Sequence, residues 1–304
     1  MPAPPRGPLT GVVAAAVTPL RDHGRQIDLA AVAHLVDFYV AAGISGVFAG
    51  GTTGEGVLLS TRERMTLTEG FVGAAHGRLA VAAHAGALTT FEAVALAGHA
   101  RDCGVDAVAA IGPYYYPYDD DELFAHFHAI ATACAPVPFY LYEFRDRTGY
   151  AISEKVVRML TELEPNLVGI KVSDRSLEDV GRYMLPELDV FVGTEALIPE
   201  ALAIGAVGAV SGLASALPDP VMRIFSGLES ASRATSLREA LSSYPVQAAL
   251  KTALVAQGVL EDASVRAPLR GLRDDERERC LTWLAEIGIV TPRAQEPNGG
   301  SPAA

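Results

Sequence analysis

Residues 79–134 read LAVAAHAGALTTFEAVALAGHARDCGVDAVAAIGPYYYPYDDDELFAHFHAIATAC. Two apolar runs of strand length, Leu79 to Ala85 and Ala107 to Ile111, alternate with two stretches whose apolar residues recur at helical spacing, Thr90 to Cys103 and Asp120 to Cys134. The runs are continuously apolar, which predicts strands buried on both faces, the condition of a parallel sheet covered by helices. The same unit repeats on either side. Further strand candidates are Gly11 to Thr18, Gly46 to Gly50, Pro138 to Phe144, Leu167 to Val172, Val190 to Gly193 and Gly208 to Gly212. Helix candidates lie near Asp28 to Ala42, Thr61 to His76, Ser153 to Leu163, Leu177 to Leu185, Pro199 to Ile204 and Pro218 to Leu228. Asp28 and Ser153 can cap helix starts, and Gly43, Gly77, Gly104 and Gly205 fall where helices should stop. Eight strand–helix units in about 220 residues predict a closed (β/α)8 TIM barrel in the α/β class, in preference to an open doubly wound sheet. No strand follows Leu228; Arg233 to Ser243, Pro245 to Gly258 and Asp274 to Ile287 read as three amphipathic helices. The expected organisation is an N-terminal extension over 1–10, the barrel over 11–228, a C-terminal three-helix appendage over 229–291 and a disordered tail over 292–304.

Composition narrows the partners. Of 304 residues 50% are hydrophobic, enough for a large core, and 24 Lys+Arg against 36 Asp+Glu leave a net charge of -12. A phosphate-backbone binder needs a basic surface, so nucleic acid and anionic membranes are poor partners. No segment offers the roughly 18 apolar residues of a membrane span, and Met1 to Pro8 lacks the apolar core of a signal peptide. The three cysteines, Cys103, Cys134 and Cys280, are far apart with no C-x-x-C pair, so neither a disulfide framework nor a thiolate metal site is indicated, and a cytoplasmic protein is expected. His126 and His128, two apart on one helix, face different ways and do not chelate; no metal ion or cofactor is expected.

In such a barrel chemistry gathers at the C-terminal ends of the strands. Lys171, in Leu167-Val168-Gly169-Ile170-Lys171-Val172, is the only lysine in any strand candidate. An ammonium among apolar neighbours must be paired, reach the barrel mouth, or lose its proton; in the last case it becomes a nucleophile that forms Schiff bases with carbonyls. Position alone leaves the structural and catalytic readings both open. The run Gly50-Gly51-Thr52-Thr53-Gly54-Glu55-Gly56 is no nucleotide motif, since no lysine follows, and suits a carboxylate cradle or an ordinary glycine-rich turn. Tyr114, Tyr115, Tyr116, Tyr140 and Tyr142 cluster near one rim, where a phenol beside Lys171 could move protons or merely pack. His84, ending the third strand, faces the same rim.

Taken in order, Val17-Thr18-Pro19-Leu20 with Ile27-Asp28, Gly51-Thr52-Thr53-Gly54-Glu55, Pro113-Tyr114-Tyr115, Tyr142 with Arg147-Thr148-Gly149, and Val168-Gly169-Ile170-Lys171 resemble the dihydrodipicolinate synthase / N-acetylneuraminate lyase family, from about Gly11 to Leu228. The resemblance implies a class I, pyruvate-dependent lyase in which Lys171 forms the Schiff base. Tyr142, Thr52 and Tyr115 would relay protons, with Tyr115 donated by a neighbouring subunit. Thr53 would hold the pyruvate carboxylate, and the backbones at Gly193 and Val210 would line the site. It further implies at least a dimer, commonly a homotetramer built as a dimer of dimers, acting on pyruvate or another 2-oxo acid and an aldehyde.

Departures from the family pattern bear on the aldehyde. Arg147, which in synthases receives the carboxylate of aspartate semialdehyde, is kept, but Glu143, Arg145 and Asp146 replace the usual residues and add three charges. Glu143 and Asp146 could hold Arg147 in a salt bridge away from substrate. Leu88 stands where lysine-regulated bacterial synthases carry asparagine. The first reading is a 4-hydroxy-tetrahydrodipicolinate synthase-like enzyme. The alternative, supported by the altered segment and His84, is an aldolase, lyase or dehydratase of 2-keto-3-deoxy sugar acids or related 4-hydroxy-2-oxo acids. A noncatalytic sensor or scaffold is a third, against which the joint retention of Lys171, Tyr142, Thr52 and Tyr115 argues.

Overall fold

The computed structural model describes residues 5–290. The expected tail over 292–304 lies outside them. Eight parallel strands form a closed barrel: β1 (Gly11–Ala15), β2 (Gly46–Ala49), β3 (Ala80–His84), β4 (Ala107–Ile111), β5 (Phe139–Glu143), β6 (Leu167–Val172), β7 (Asp189–Val192) and β8 (Gly208–Ser211). Each pairs with its sequence neighbours, and β8 closes on β1 through Gly11↔Gly208 and Val13↔Val210. The connecting helices are α1 (Leu29–Ala41), α2 (Thr61–Ala75), α3 (Thr90–Cys103), α4 (Asp120–Cys134), α5 (Glu154–Leu163), α6 (Leu177–Gly181), α7 (Ile198–Ala203) and α8 (Pro218–Phe225). The appendage is α9 (Ala231–Ser242), α10 (Val246–Ala256) and α11 (Asp274–Glu286). No helix of the described residues is long and apolar enough to cross a membrane.

Local chemistry accounts for the boundaries. The Asp28 and Ser153 side chains accept from the N–H groups of Ala31 and Val156, as their positions predict. Gly104 ends α3 in the left-handed region at φ 77°, where a Cβ would be strained. Helix α6 stops at Gly181 and not at Leu185, because Leu185 precedes Pro186 and that position disfavours helical backbone. Strand β1 stops at Ala15, after which Thr18 donates its hydroxyl to the Gly54 carbonyl at 2.5 Å. A two-residue hairpin, Leu20–Arg21 with Gln26–Ile27, then leads into α1; strands that short carry no readable period.

The core has two layers. Val13, Ala15, Phe48, Ala82, Ala109, Tyr140, Tyr142, Phe191 and Val210 fill the barrel, and a larger apolar shell joins barrel to helices. Below, Leu9 belongs to the inner layer, and the Arg6 and Gly7 N–H groups donate to Asp189 Oδ2 at 2.7 and 2.8 Å. That segment floors the barrel at the N-terminal end of β7, the end opposite the C-terminal ends of the strands.

Candidate active site

Lys171 lies directly across from Tyr142 in the β5–β6 ladder. It is 7% exposed, with Nζ 3.9 Å from the centre of the Tyr142 ring and 4.9 Å from that of Phe48. Among the described residues no carboxylate pairs with it, which removes the ion-pair reading. Aromatic faces attract a cation through their quadrupole without supplying a counter-charge. The Tyr142 hydroxyl is 3.3 Å from Thr52 Oγ1, so an amine, a phenol and an alcohol stand in one row from β6 to the loop after β2.

That loop is folded tightly. A Cβ on Gly56 would lie 1.8 Å from the Gly50 carbonyl oxygen, so only glycine fits there. The N–H groups of Thr52 and Thr53 donate to nothing among the described residues, as a carboxylate cradle requires. A Cβ on Gly212, just past β8, would meet Thr53 Oγ1 at 3.2 Å, placing that hydroxyl at the strand end that Val210 approaches. Gly193, just past β7, is pressed against Ser173, whose Oγ would lie 2.1 Å from an added Cβ. Lys171, Tyr142, Thr52, Thr53, Gly193 and Val210 thus converge on the open end of one barrel.

His84 is 7% exposed, and both ring nitrogens are engaged: Nδ1 lies 3.2 Å from both the Gly50 carbonyl and Arg64 Nη2, and Nε2 accepts from the Ile111 N–H at 3.3 Å. Burial, with the charges of Arg64 and Lys171, holds the ring well below the usual histidine range. The His84 carbonyl accepts from buried Arg64 at 2.7 Å, and Arg64 also reaches the Gly86 carbonyl. His84 therefore braces the loop after β2, with its ring edge-on to that of Tyr142 at 6.0 Å between centres.

The 142–149 segment also differs from its sequence expectation. Glu143, 1% exposed, turns into the helical layer and accepts from the Ile152 N–H at 2.7 Å. Burial lifts its carboxyl from the ordinary 4.5 to about 8; the Ile152 N–H opposes this and Asp174 adds to it. It is therefore largely uncharged at neutral pH. Asp146 pairs with Arg175 at 2.7 Å. Neither carboxylate touches Arg147, which is exposed on the one-turn helix Arg145–Thr148 with its guanidinium 5.5 Å from the Phe144 ring. The salt bridge by which Glu143 and Asp146 could hold Arg147 away from substrate is absent among the described residues.

Glu143 also sets a pH dependence. With its carboxyl raised on folding, the folded state binds the extra proton between 4.5 and about 8, so stability falls as pH rises through that window and the penalty is complete above it. Glu143→Gln should flatten this part of the stability–pH curve, measured by denaturant unfolding at intervals across the window. An unchanged slope would contradict the assignment.

Tyr115 does not join the cluster within its own chain. It is 83% exposed in the loop after β4, in left-handed backbone at φ 88° and against Tyr116 at 5.0 Å between ring centres. Such backbone is costly for a tyrosine and persists where the surroundings demand it. Val57, Leu88 and Tyr116 are also exposed, in the connections after β2, β3 and β4, as is Phe91 at the start of α3.

Three supporting groups escaped the sequence reading. Phe48 forms one wall beside Lys171. Glu195, 3% exposed, accepts from Ser211 Oγ, the Leu213 N–H and Arg238, joining the end of β8 to α9. Burial pushes its carboxyl up, but Arg238 and the other donors outweigh this and hold it below the usual range. Glu55, inside the glycine-rich loop, forms a fully buried 2.6 Å ion pair with Lys251 of α10 and accepts from the Arg266 N–H at 2.6 Å. A lone lysine inside Val246-Gln247-Ala248-Ala249-Leu250-Lys251-Thr252-Ala253-Leu254 was the available signal.

Residues 8–287 match the family model described as "Dihydrodipicolinate synthetase family". The chain is 31% identical over 287 residues to an N-acetylneuraminate lyase of Rhizobium meliloti, covering 94% of this chain and 93% of that one. It is 30% identical over 308 residues to a 4-hydroxy-tetrahydrodipicolinate synthase of Methanopyrus kandleri, covering 96% and 99%. The crystal structure of dihydrodipicolinate synthase from Aquifex aeolicus superposes with a TM-score of 0.84 at 26% identity, over 92% of this chain and 99% of that one. A barrel whose buried lysine faces a tyrosine at its open end, matched over nearly its whole length, makes this chain a member of the dihydrodipicolinate synthetase family and a lyase of the class I aldolase type.

Proposed function

We propose that this enzyme joins pyruvate to an aldehyde, or cleaves the product, through a Schiff base at Lys171. The observation that carries the reading is a buried lysine with no carboxylate partner among the described residues, set against a phenol that is itself within reach of a hydroxyl. The neutral amine attacks the pyruvate carbonyl carbon and water leaves, giving an iminium. The iminium accepts the electron pair when the methyl group loses a proton, and the resulting enamine attacks the aldehyde carbon. Hydrolysis then returns the free amine. Tyr142 carries protons to and from these intermediates and Thr52 continues the relay. Thr53 holds the pyruvate carboxylate by its hydroxyl and N–H, beside the backbone of Gly193 and Val210. No metal or cofactor takes part.

Free Arg147 favours an aldehyde with a distal carboxylate, since a guanidinium receives that group through paired, charge-assisted hydrogen bonds. The proposed acceptor is aspartate semialdehyde and the proposed activity that of a 4-hydroxy-tetrahydrodipicolinate synthase. Arg147→Ala should lower kcat/KM for the semialdehyde roughly ten- to 150-fold, corresponding to about 1.5–3 kcal/mol, and affect pyruvate far less. Negligible semialdehyde turnover by the unmutated enzyme, with 2-keto-3-deoxy sugar acids cleaved normally by both forms, would reject this acceptor in favour of sugar acids while leaving the Schiff base intact.

The relay is completed by Tyr115 of a neighbouring copy in a homotetramer arranged as a dimer of dimers, working in the cytoplasm with its three cysteines free. The exposed apolar side chains Val57, Leu88, Phe91, Tyr115 and Tyr116, all in the segments that follow β2, β3 and β4, support such a contact. Phe91→Glu should shift sedimentation toward smaller species and lower activity in parallel; a fully active monomer would refute the shared relay.

A further inference from the structure

On the outside of the barrel, away from Lys171, three side chains of different chemistry meet between α2 and α3. His99 and Cys103 are one turn apart on α3, and Glu69 approaches from α2. His99 Nε2 lies 3.0 Å from Glu69 Oε1 and 3.4 Å from Cys103 Sγ, and one ligand atom from each residue falls within 4.8 Å of the others. In a tetrahedral zinc site, with bonds of about 2.0–2.3 Å, ligand atoms stand roughly 3.3–3.8 Å apart. The His99–Cys103 separation already has that span, but Sγ lies beside the ring, 3.5 Å from Nδ1 as well, so the imidazole turns to aim Nε2 at the shared ion. The His99–Glu69 separation needs to open by only a few tenths of an ångström, and Glu69, with a side chain 60% exposed, is free to rotate.

We propose that Glu69, His99 and Cys103 form a divalent metal site for Zn2+ or a similar borderline-soft ion, which ties α2 to α3. One carboxylate oxygen, one imidazole nitrogen and one thiolate select such an ion over Mg2+ or Ca2+, which take oxygen ligands. The thiol proton leaves to solvent as the metal–sulfur bond forms, and water completes the coordination. Two of the ligands come from one turn of α3. Cys103 is also the last residue of α3, where the helix dipole favours positive charge. The tie is structural: α2 also carries Arg64, the donor to His84 and Gly86, so holding α2 against α3 steadies the elements behind the loop after β2. Read from sequence, Cys103 suggested no metal; its i,i+4 relation to His99 lies within one predicted helix, but Glu69 of α2 joins them only in the fold.

The test is titration of the purified, untagged full chain with Co2+, followed by competition with Zn2+. Cys134 and Cys280 are buried, so a thiolate-to-cobalt charge-transfer band reports Cys103. The expected result is one equivalent per chain, the band present, and thermal unfolding moved upward by Zn2+. Cys103→Ser should lose the band and weaken Zn2+ binding by about tenfold or more, and Glu69→Gln should weaken binding while the band remains. Turnover without metal should be unchanged in both variants. Absence of the band in the parent chain, or equal Zn2+ uptake by the parent and Cys103→Ser, overturns the proposal.

Discussion

Lys171→Ala is expected to abolish covalent capture of pyruvate by borohydride and to lower turnover by on the order of 10³-fold or more, since no other lysine lines the barrel to take over the nucleophile's part. Intact-mass measurement after reduction should show one adduct per chain in the parent and none in the variant. An adduct that survives the substitution would place the Schiff base elsewhere. Folding should be little affected, because Lys171 makes no ion pair among the described residues and its removal strands no partner charge.

Lys251→Ala should have the opposite character, with a large loss of stability and only a secondary loss of activity. The Lys251–Glu55 pair is completely buried at 2.6 Å, and removing one member leaves the other charge without compensation. Breaking such a pair costs about 3–5 kcal/mol, which for a chain of this size lowers the melting temperature by roughly 10 °C. The double variant Glu55→Gln with Lys251→Met should recover much of that loss, because a neutral pair carries no uncompensated charge. If the double variant melts as low as the single one, packing around α10 and not charge is responsible. Since Glu55 lies in the loop that carries Thr52 and Thr53, the pair also makes the appendage a support for the pyruvate side of the site.

The barrel was legible because its strands are continuous apolar runs, a pattern that surface strands do not show, and because a segment of helical spacing separates each run from the next. The ends were less legible. Thr18 leaves β1 for a contact with Gly54, 36 residues away, and no local pattern announces that. The same limit governs the site. Lys171 stood out because a lysine in an apolar strand is a local anomaly, whereas Glu143 was counted as a charge near the pocket although burial leaves it largely uncharged. Arg147 could be found but not its freedom, since that depends on Asp146 choosing Arg175. Lys251 and Glu55 are 196 positions apart, and only the fold makes them one group.

The floor formed by Arg6, Gly7 and Leu9 has a practical side. A linker or carrier joined just before Pro5 emerges beneath the barrel, at the pole opposite the mouth through which substrate must pass to reach Lys171. Chains immobilised by that end would present their mouths away from the support, and enlarging the carrier would leave substrate entry unobstructed.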